Sequence, residues 1–146
     1  MRAIKVWAKR GCGVLLGLLL ASPLYAAADD VLGVWKTNEG GGHVELYRVD
    51  DELQGKIVGG DANEAKQTTD VHNPDPALRG RELLGLVIIE GMRYDAAADA
   101  WQGGSLYRST NGKTYRSKIR LADDGILKVT GYKGFFSKTV DWHRLP

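Results

Sequence analysis

Four side chains that could bind a ligand or a cation lie close together in the middle of the chain, namely Asp70, His72, Asn73 and Asp75. Carboxylate and amide oxygens are the ligands that hard cations such as Ca²⁺ prefer. However, the spacing matches no calcium-binding loop, and a single histidine does not make a zinc site. Asp and Asn side chains also stabilise turns by hydrogen bonding to nearby backbone groups. We therefore expect loop architecture rather than a metal site, with a polar ligand-binding site as the alternative.

Two arginines, Arg79 and Arg81, follow this cluster. A guanidinium group pairs with a carboxylate or a phosphate through two parallel hydrogen bonds, so both arginines could hold the acidic group of a ligand. They could equally be solvated and pair with acids of the chain, a contact that contributes about 0–1 kcal/mol. Both interpretations stay open. The cations around Asn111, including Arg108, are interpreted as solvated faces of strands and loop that pair with acids of the chain.

Residue patterns typical of catalysis are missing from the sequence. A catalytic triad needs an activated nucleophile close to a histidine and a carboxylate. His43, His72 and His143 are scattered along the chain, and the serines lie in ordinary strand or turn contexts rather than in a nucleophile elbow. The sequence therefore predicts a protein that is not an enzyme and that needs no cofactor.

The first 28 residues are typical of a secretory signal peptide. Met1–Arg10 carries four cations and no acid, a short apolar run, Val14–Leu20, follows, and the segment ends in Ala26, Ala27 and Ala28. The apolar run is too short to span a hydrocarbon core about 30 Å thick. We expect cleavage after Ala28, or alternatively after Ala26. The mature protein is expected to be periplasmic or secreted, without stable insertion in the membrane.

Cleavage changes the composition of the chain. Four of the 20 Lys and Arg residues and none of the 18 Asp and Glu residues lie in residues 1–28, so residues 29–146 carry a net charge of −2. Nucleic-acid binding is typical of a positive surface with exposed aromatic residues, so no nucleic-acid partner is expected. The only cysteine, Cys12, is lost with the leader, which leaves no disulfide bond or thiol nucleophile. The remainder is long enough for one core, and we predict a single domain over residues 29–146.

Short segments of alternating apolar and polar residues indicate about eight antiparallel strands. The clearest follows Asn111–Gly112, a dipeptide that predicts a type I′ hairpin with positive φ at both residues. In this strand Ser117 and Ile119 alternate with Arg116 and Lys118, which indicates one buried and one solvent-exposed face. The predicted strands are Val31–Lys36, His43–Val49, Leu53–Val58, Leu83–Met92, Trp101–Ser109, Thr114–Leu121, Ile126–Tyr132 and Phe136–Leu145.

Regular short strands separated by turns are typical of a sandwich or a barrel. Sixteen glycines in residues 29–146 favour a strongly curved sheet, because glycine permits the kinks and bulges that closure requires. We predict a single antiparallel up-and-down β-barrel. The segment Asp61–Leu84 has no strand periodicity and contains Pro74 and Pro76. Long loops in compact domains are commonly functional, and we expect this one to lie across an opening of the barrel.

The segment Gly33–Val34–Trp35 resembles the G-x-W signature in the first strand of lipocalins and other calycin barrels. In those barrels the Trp closes one end and commonly packs under an Arg of the last strand. The last predicted strand here contains Trp142 and Arg144. The resemblance therefore implies barrel closure by Gly33, Trp35, Trp142 and Arg144, with Arg144 over Trp35. A cation–π contact of this kind contributes about 0.5–2 kcal/mol.

A second resemblance covers nearly the whole mature chain. It is to the exported bacterial family called domain of unknown function 2147, and it implies a lipocalin-like barrel and an envelope location but no activity or catalytic residue. The motifs that carry it are Gly33-x-Trp35, Gly55-Lys56-Ile57, Asn73-Pro74-Asp75-Pro76, Leu78-Arg79, Gly85-Leu86, Trp101-x-Gly103-Gly104-x-Leu106-Tyr107, Asn111-Gly112-Lys113-x-Tyr115, Leu127-x-Val129-x-Gly131-Tyr132 and Trp142-x-Arg144.

Two functions stay open from the sequence. In the first, the barrel binds a small apolar or amphipathic molecule, because an eight-stranded barrel has room for one small ligand. In the second, the barrel is filled with side chains, and an envelope protein partner binds the loop over residues 61–84. A cavity of several hundred Å³ favours the first, and a solid core favours the second. The candidate ligand-binding residues are Asp70, Asn73, Asp75, Arg79, Arg81, Trp101 and Tyr115.

Overall fold

The computed structural model describes residues 27–61 and 66–146, and in them eight antiparallel strands form one closed barrel. Each strand pairs with its neighbours in sequence, and β8 pairs with β1. The predicted all-β, up-and-down barrel is therefore confirmed. Most of the predicted signal peptide lies outside the described residues. The strands are β1 (Gly33–Thr37), β2 (Gly42–Val49), β3 (Glu52–Gly60), β4 (Val87–Asp95), β5 (Ala100–Arg108), β6 (Lys113–Leu121), β7 (Leu127–Lys133) and β8 (Phe136–Arg144).

Alternation of side chains explains why these segments form a barrel. On β6, Ser117 and Ile119 are buried while Arg116 and Arg120 are exposed, because successive residues of a strand point to opposite faces of the sheet. A closed sheet has no unpaired edge strand that could pair with another chain. No helix among the described residues is long and apolar enough to cross a membrane.

The two ends of the barrel differ in their connections. Residues 27–32 and the short turns after β2, β4 and β6 lie at one end, which we call the closed end. The opposite end, which we call the open end, carries the β1–β2 turn, the β3–β4 loop of residues 61–86, the β5–β6 hairpin and the β7–β8 hairpin. The longest connection of the barrel therefore lies at the open end.

The β3–β4 loop is longer than predicted because β4 begins at Val87 rather than at Leu83. Leu86 N donates a hydrogen bond to the Leu83 carbonyl oxygen at 3.0 Å. Gly85, between them, has a φ of 82°, a left-handed conformation that glycine adopts readily. The apolar run in the sequence therefore contains a turn before the strand begins.

The β5–β6 hairpin is not the predicted type I′ turn. Its loop has four residues, 109–112, and Gly112 has a positive φ of 68° whereas Asn111 does not. The N–H groups of both residues donate to the Arg108 carbonyl oxygen. Gly112 also packs directly against the β3–β4 loop, since a Cβ there would lie 1.8 Å from the His72 carbonyl oxygen. Contact with the loop thus requires glycine at position 112.

Candidate functional site

At the closed end, Arg144 and Trp35 make the contact that the lipocalin resemblance implies. Cζ of Arg144 lies 4.3 Å from the centroid of the Trp35 ring, and the two residues are partners where β8 pairs with β1. The Arg144 guanidinium also donates hydrogen bonds to the carbonyl oxygens of Leu32 and Asp30. Gly33 permits this approach, because a Cβ there would lie 2.9 Å from Arg144 Nη1. The barrel is sealed at this end.

The indole N–H groups of two buried tryptophans fasten the N-terminal segment to the sealed end. Trp35 Nε1 donates to the Val31 carbonyl oxygen at 2.8 Å, and Trp101 Nε1 donates to the Ala28 carbonyl oxygen at 2.9 Å. Side chains fill the interior around them. The fully buried members of this core that do not line the cavity described next are Trp35, Leu46, Leu53, Ile89, Met92, Trp101, Ile119 and Leu127.

A cavity of about 450 Å³ occupies the barrel interior toward the open end. Gly42, Gly59 and Gly131 belong to its wall, and the lack of side chains at these positions leaves space inside the barrel. A Cβ at Gly131 would make an ordinary contact with Tyr115 at 3.5 Å. The apolar and aromatic residues of the wall are Val44, Ile57, Leu83, Ile88, Leu106, Tyr107, Tyr115, Val129, Val140 and Trp142.

Four charged residues of the described chain line the same cavity, namely Glu39, Lys66, Arg108 and Lys138. We call Glu39, Arg108 and Lys138 the rim cluster. Glu39, in the β1–β2 turn, accepts hydrogen bonds from Arg108 at the end of β5 and from Lys138 on β8. The hydrogen bond from Lys138 and the charges of both cations lower the pKa of Glu39 below its ordinary value, against the opposing effect of partial burial. Glu39 is therefore ionised at neutral pH and neutralises cations from two strands.

Asp70 fastens the β3–β4 loop to the barrel wall. Its side chain is fully buried. One carboxylate oxygen accepts a hydrogen bond from the Tyr107 hydroxyl at 2.6 Å, and the other accepts from Asn73 Nδ2 at 2.8 Å and Arg81 Nε at 2.9 Å. Burial acts to raise the pKa of Asp70, but the hydrogen bonds from Tyr107, Asn73 and Arg81 outweigh it and lower the pKa. Burial and the bond to Asp70 raise the pKa of Tyr107. We call these four residues the loop cluster.

Other described residues of the loop make hydrogen bonds to the backbone. Arg79 Nε donates to the Asn73 carbonyl oxygen at 2.8 Å. Asp75 Oδ1 accepts from Ala77 N at 3.0 Å, at the start of a short 3₁₀ helix over Pro76–Leu78. Gln67 Nε2 donates to the Ser109 carbonyl oxygen at 3.1 Å, which ties the loop to the β5–β6 hairpin. Loop architecture therefore engages the side chains of Asp70, Asn73, Asp75, Arg79 and Arg81.

The structure separates the seven candidate ligand-binding residues. Tyr115 lines the cavity, whereas the other six do not line it in the described part of the chain. Asp70, Asn73 and Arg81 belong to the loop cluster. Trp101 lies in the core of the closed half. Ligand binding by these seven residues stays a prediction, and the cavity adds other candidates to them.

The rim cluster was not among the sequence candidates. Lys138, Val140 and Trp142 occupy alternate positions of β8 and all line the cavity, so the period of two from Trp142 could have identified Lys138 as inward-facing. Arg108 lies in the cavity wall, is about one-third exposed and pairs with Glu39, as expected for a cation that pairs with an acid of the chain. Glu39 carries no signal in the sequence beyond its position in a turn.

No group of three or more His, Cys, Asp or Glu side chains in residues 27–61 and 66–146 is arranged to hold a metal ion. The loop residues Asp70 and Asn73 instead bind each other and neighbouring side chains. What distinguishes the site chemically is an apolar cavity with ionised groups at one end of its wall. Such an arrangement suits binding of a molecule that has both apolar and charged parts.

A closed eight-stranded antiparallel barrel, sealed at one end by a Trp–Arg pair and hollow at the other, defines a lipocalin-like protein. The solved structure of protein HP1028 from the human pathogen Helicobacter pylori, described as belonging to the lipocalin family, is similar to it. The TM-score is 0.68 and the sequence identity 27%, over 79% of this chain and 82% of that chain.

The chain belongs to the family described as "Uncharacterized protein conserved in bacteria (DUF2147)", which it matches over residues 33–144. Both resemblances inferred from the sequence are thereby confirmed. No curated protein sequence matches the chain.

Proposed function

We propose that this protein is an exported binding protein, not an enzyme, whose barrel takes one amphipathic molecule with an anionic end. The apolar part would occupy the cavity, and the anionic end would contact Arg108 and Lys138 at the rim. The observation that carries the proposal is the cavity itself, a mostly apolar space of about 450 Å³ inside the barrel.

The size and lining of the cavity support the apolar part of the proposal. Small-molecule sites in proteins are commonly clefts of about 300–1,000 Å³ with mostly apolar walls and a few polar groups. Burial of apolar ligand surface contributes about 25 cal/mol for each Å² removed from water. A cavity walled by aliphatic and aromatic side chains uses this contribution fully, whereas the filled barrel of the alternative function would leave no room for it.

The rim cluster supports the anionic part. Glu39 now occupies the position at which a ligand carboxylate or phosphate would pair with Arg108 and Lys138. Arg108 and Glu39 are each about one-third exposed at the side chain, so an incoming anion can reach them. An anionic ligand therefore competes with Glu39, whose β1–β2 turn contains Gly40 and Gly41 with φ values of 79° and 59°. Glycine in this turn favours the change in backbone conformation that withdrawal of Glu39 requires.

A paired titration tests the proposal. Trp142 lines the cavity, so a bound molecule changes tryptophan fluorescence. We expect saturable binding of a long-chain fatty acid, and binding about tenfold weaker for the alcohol of the same chain length, which lacks the charge. The same assay with lysophospholipid and haem extends the range of ligands. Absence of saturable binding by all of these molecules would reject the proposal.

Variants separate the apolar and the anionic contributions. Gly131→Leu fills the cavity from its wall and is expected to abolish binding of both the acid and the alcohol. Thr114→Leu, which adds the same side chain on the exposed outer face of β6, is the matched control and should bind as the wild type does. Arg108→Gln combined with Lys138→Gln is expected to weaken the acid alone. If this double variant weakens both molecules equally, the rim does not recognise charge.

The proposed export is tested separately. We propose a periplasmic or secreted location, on the basis of the basic head, the apolar run and the alanines that end the leader. Fractionation of bacteria that express the full chain, followed by intact-mass measurement, would detect a shortened species outside the cytoplasm. Recovery of the full-length chain from the cytoplasm alone would contradict this part of the proposal.

A further inference from the structure

The hairpin between β7 and β8 projects two aromatic side chains into solvent. Phe135 is fully exposed and Phe136 is 83% exposed, and Tyr132 at the end of β7 is partly exposed as well. Neighbouring exposed aromatic residues are unfavourable in water, and an exposed apolar patch of this kind commonly marks a surface that contacts a partner or a membrane. The hairpin tip is therefore a candidate contact surface for a partner or a membrane.

The charge around this tip indicates what kind of surface contacts it. Residues 109–118 and 130–138, at the open ends of β6, β7 and β8, include five Lys and Arg residues and no Asp or Glu, and one of the five, Lys138, pairs with Glu39. Lys113 and Arg116 are exposed on β6, and Arg116 is the register partner of Tyr132 on β7. Lys133 directly precedes the tip. Aromatic side chains flanked by cations are typical of proteins that lie on anionic lipid surfaces.

The tip of the hairpin lies close to residues that line the cavity. Lys133 Nζ lies 5.8 Å from the centroid of the Tyr115 ring, and Tyr115 and Lys138 both line the cavity. On the β3–β4 loop, at the same end of the barrel, Leu84 is 65% exposed. A flat surface that contacts the hairpin tip therefore also faces the mouth of the cavity.

We propose that the open end of the barrel docks on a bilayer that contains anionic phospholipid, with Phe135 and Phe136 entering the boundary between headgroups and acyl chains. The protein lies on the surface and does not span the bilayer. Lys113, Arg116 and Lys133 contact the phosphate groups. The proposal goes beyond ligand binding by the cavity, because docking does not require the cavity to be occupied.

Vesicle flotation with the mature chain tests the proposal without any added ligand. We expect the protein to float with vesicles in which about a third of the phosphatidylcholine is replaced by phosphatidylglycerol, and to remain unbound with pure phosphatidylcholine. The variant Phe135→Ser with Phe136→Ser is expected to bind at least about tenfold more weakly. Val49→Ser, at an exposed valine near the closed end, is the matched control and should leave flotation unchanged.

Three results would overturn the proposal. The first is equal flotation with both kinds of vesicle, which would remove the role of the cations. The second is unchanged flotation of the double Phe variant. The third is a concentration-dependent dimer in the absence of lipid that the double Phe variant abolishes, because the tip would then contact a second copy of the chain. Ligand titration in vesicle-free solution is independent of all three, so failure of docking and failure of cavity binding are distinguished.

Discussion

Replacement of Asp70 by Asn tests how the loop is held. The change keeps the size of the side chain but removes its charge. The Asn amide also replaces one acceptor oxygen by an NH₂ group, which then faces side chains that donate hydrogen bonds to Asp70 in the wild type. In the wild type, Asp70 accepts from Tyr107, Asn73 and Arg81 within 2.6–2.9 Å. We therefore expect a large loss of stability from an apparently conservative substitution.

The size of this stability loss follows from the hydrogen bonds that Asp70 accepts. A hydrogen bond to a charged group contributes about 1.5–3 kcal/mol, and breaking a buried ion pair costs about 3–5 kcal/mol. The three contacts do not add, because they share one carboxylate. The Arg81 side chain is 35% exposed and regains water when its partner is lost, which reduces the cost. We expect the free energy of unfolding to decrease by about 3 kcal/mol.

Urea unfolding followed by tryptophan fluorescence measures this difference. Asp75→Asn is the matched control: it is the same substitution in the same loop, at an exposed residue whose carboxylate accepts from one backbone N–H. The control should lose less than about 0.5 kcal/mol. A loss of less than about 1 kcal/mol for Asp70→Asn would refute the assignment of Asp70 as the residue that holds the loop.

The same substitution has a defined pH dependence. The folded-state pKa of Asp70 lies below its ordinary value of 3.8, so the ionised side chain stabilises the folded state. This contribution is fully present above the unfolded-state pKa and is lost as the pH falls through the lower, folded-state pKa. The stability difference between wild type and Asp70→Asn should therefore be constant near neutrality and shrink below about pH 4. A difference that stays constant down to about pH 2 would contradict this linkage.

Further predictions concern the seal, the sheet, the N-terminus and the rim. Arg144→Ala should lower the free energy of unfolding by about 2 kcal/mol, through loss of the contact with Trp35 and of the hydrogen bonds to carbonyl oxygens; an unchanged urea midpoint would contradict it. Gly104→Ala should cost about 3 kcal/mol, because the Cβ would lie 2.3 Å from the Glu90 carbonyl oxygen. At Gly103 a Cβ would meet no other atom of the described residues within 4 Å, but φ is 82°, so Gly103→Ala should cost about 1 kcal/mol. Equal costs for Gly104→Ala and Gly103→Ala would refute this reasoning. A chain that begins at Ala27 should be about 1–3 kcal/mol more stable than one that begins at Asp29, because the Ala28 carbonyl oxygen accepts the Trp101 bond; equal thermal midpoints would exclude it. Glu39→Gln should tighten binding of a fatty acid and leave that of the alcohol unchanged, and the paired titration would contradict competition by Glu39 if both changed alike.

Strand periodicity predicted the fold well, because successive residues of a strand point alternately to the barrel interior and to solvent. Ser117 and Ile119 could be assigned to the interior from their alternation with Arg116 and Lys118, and the structure confirms them. Glycines were expected to permit bulges in the sheet, and the pairing of β5 with β6 shifts register between Gln102 and Gly104. These features depend on residues that are neighbours in the sequence, so the sequence alone could predict them.

The start of β4 and the β5–β6 hairpin were predicted wrongly for one physical reason. Gly85 makes a turn inside an apolar run, where its N–H donates to the Ile57 carbonyl oxygen at 2.7 Å. Gly112 packs against the carbonyl group of His72. Both depend on contacts between segments distant in sequence, and a single sequence does not reveal these. The rim cluster was missed for the same reason, since Glu39 and Lys138 are 99 residues apart.

The division of the barrel into a packed and a hollow half has a consequence for how the protein can change. Core side chains lie mostly toward the closed end and cavity-lining side chains toward the open end, although some residues, such as Val44, Val129 and Trp142, belong both to the core and to the wall. If the void binds a ligand as we propose, substitutions at wall positions outside the buried core could alter which molecule it accepts with little effect on folding. The scaffold is thus suited to diversification during evolution, and equally to redesign in the laboratory.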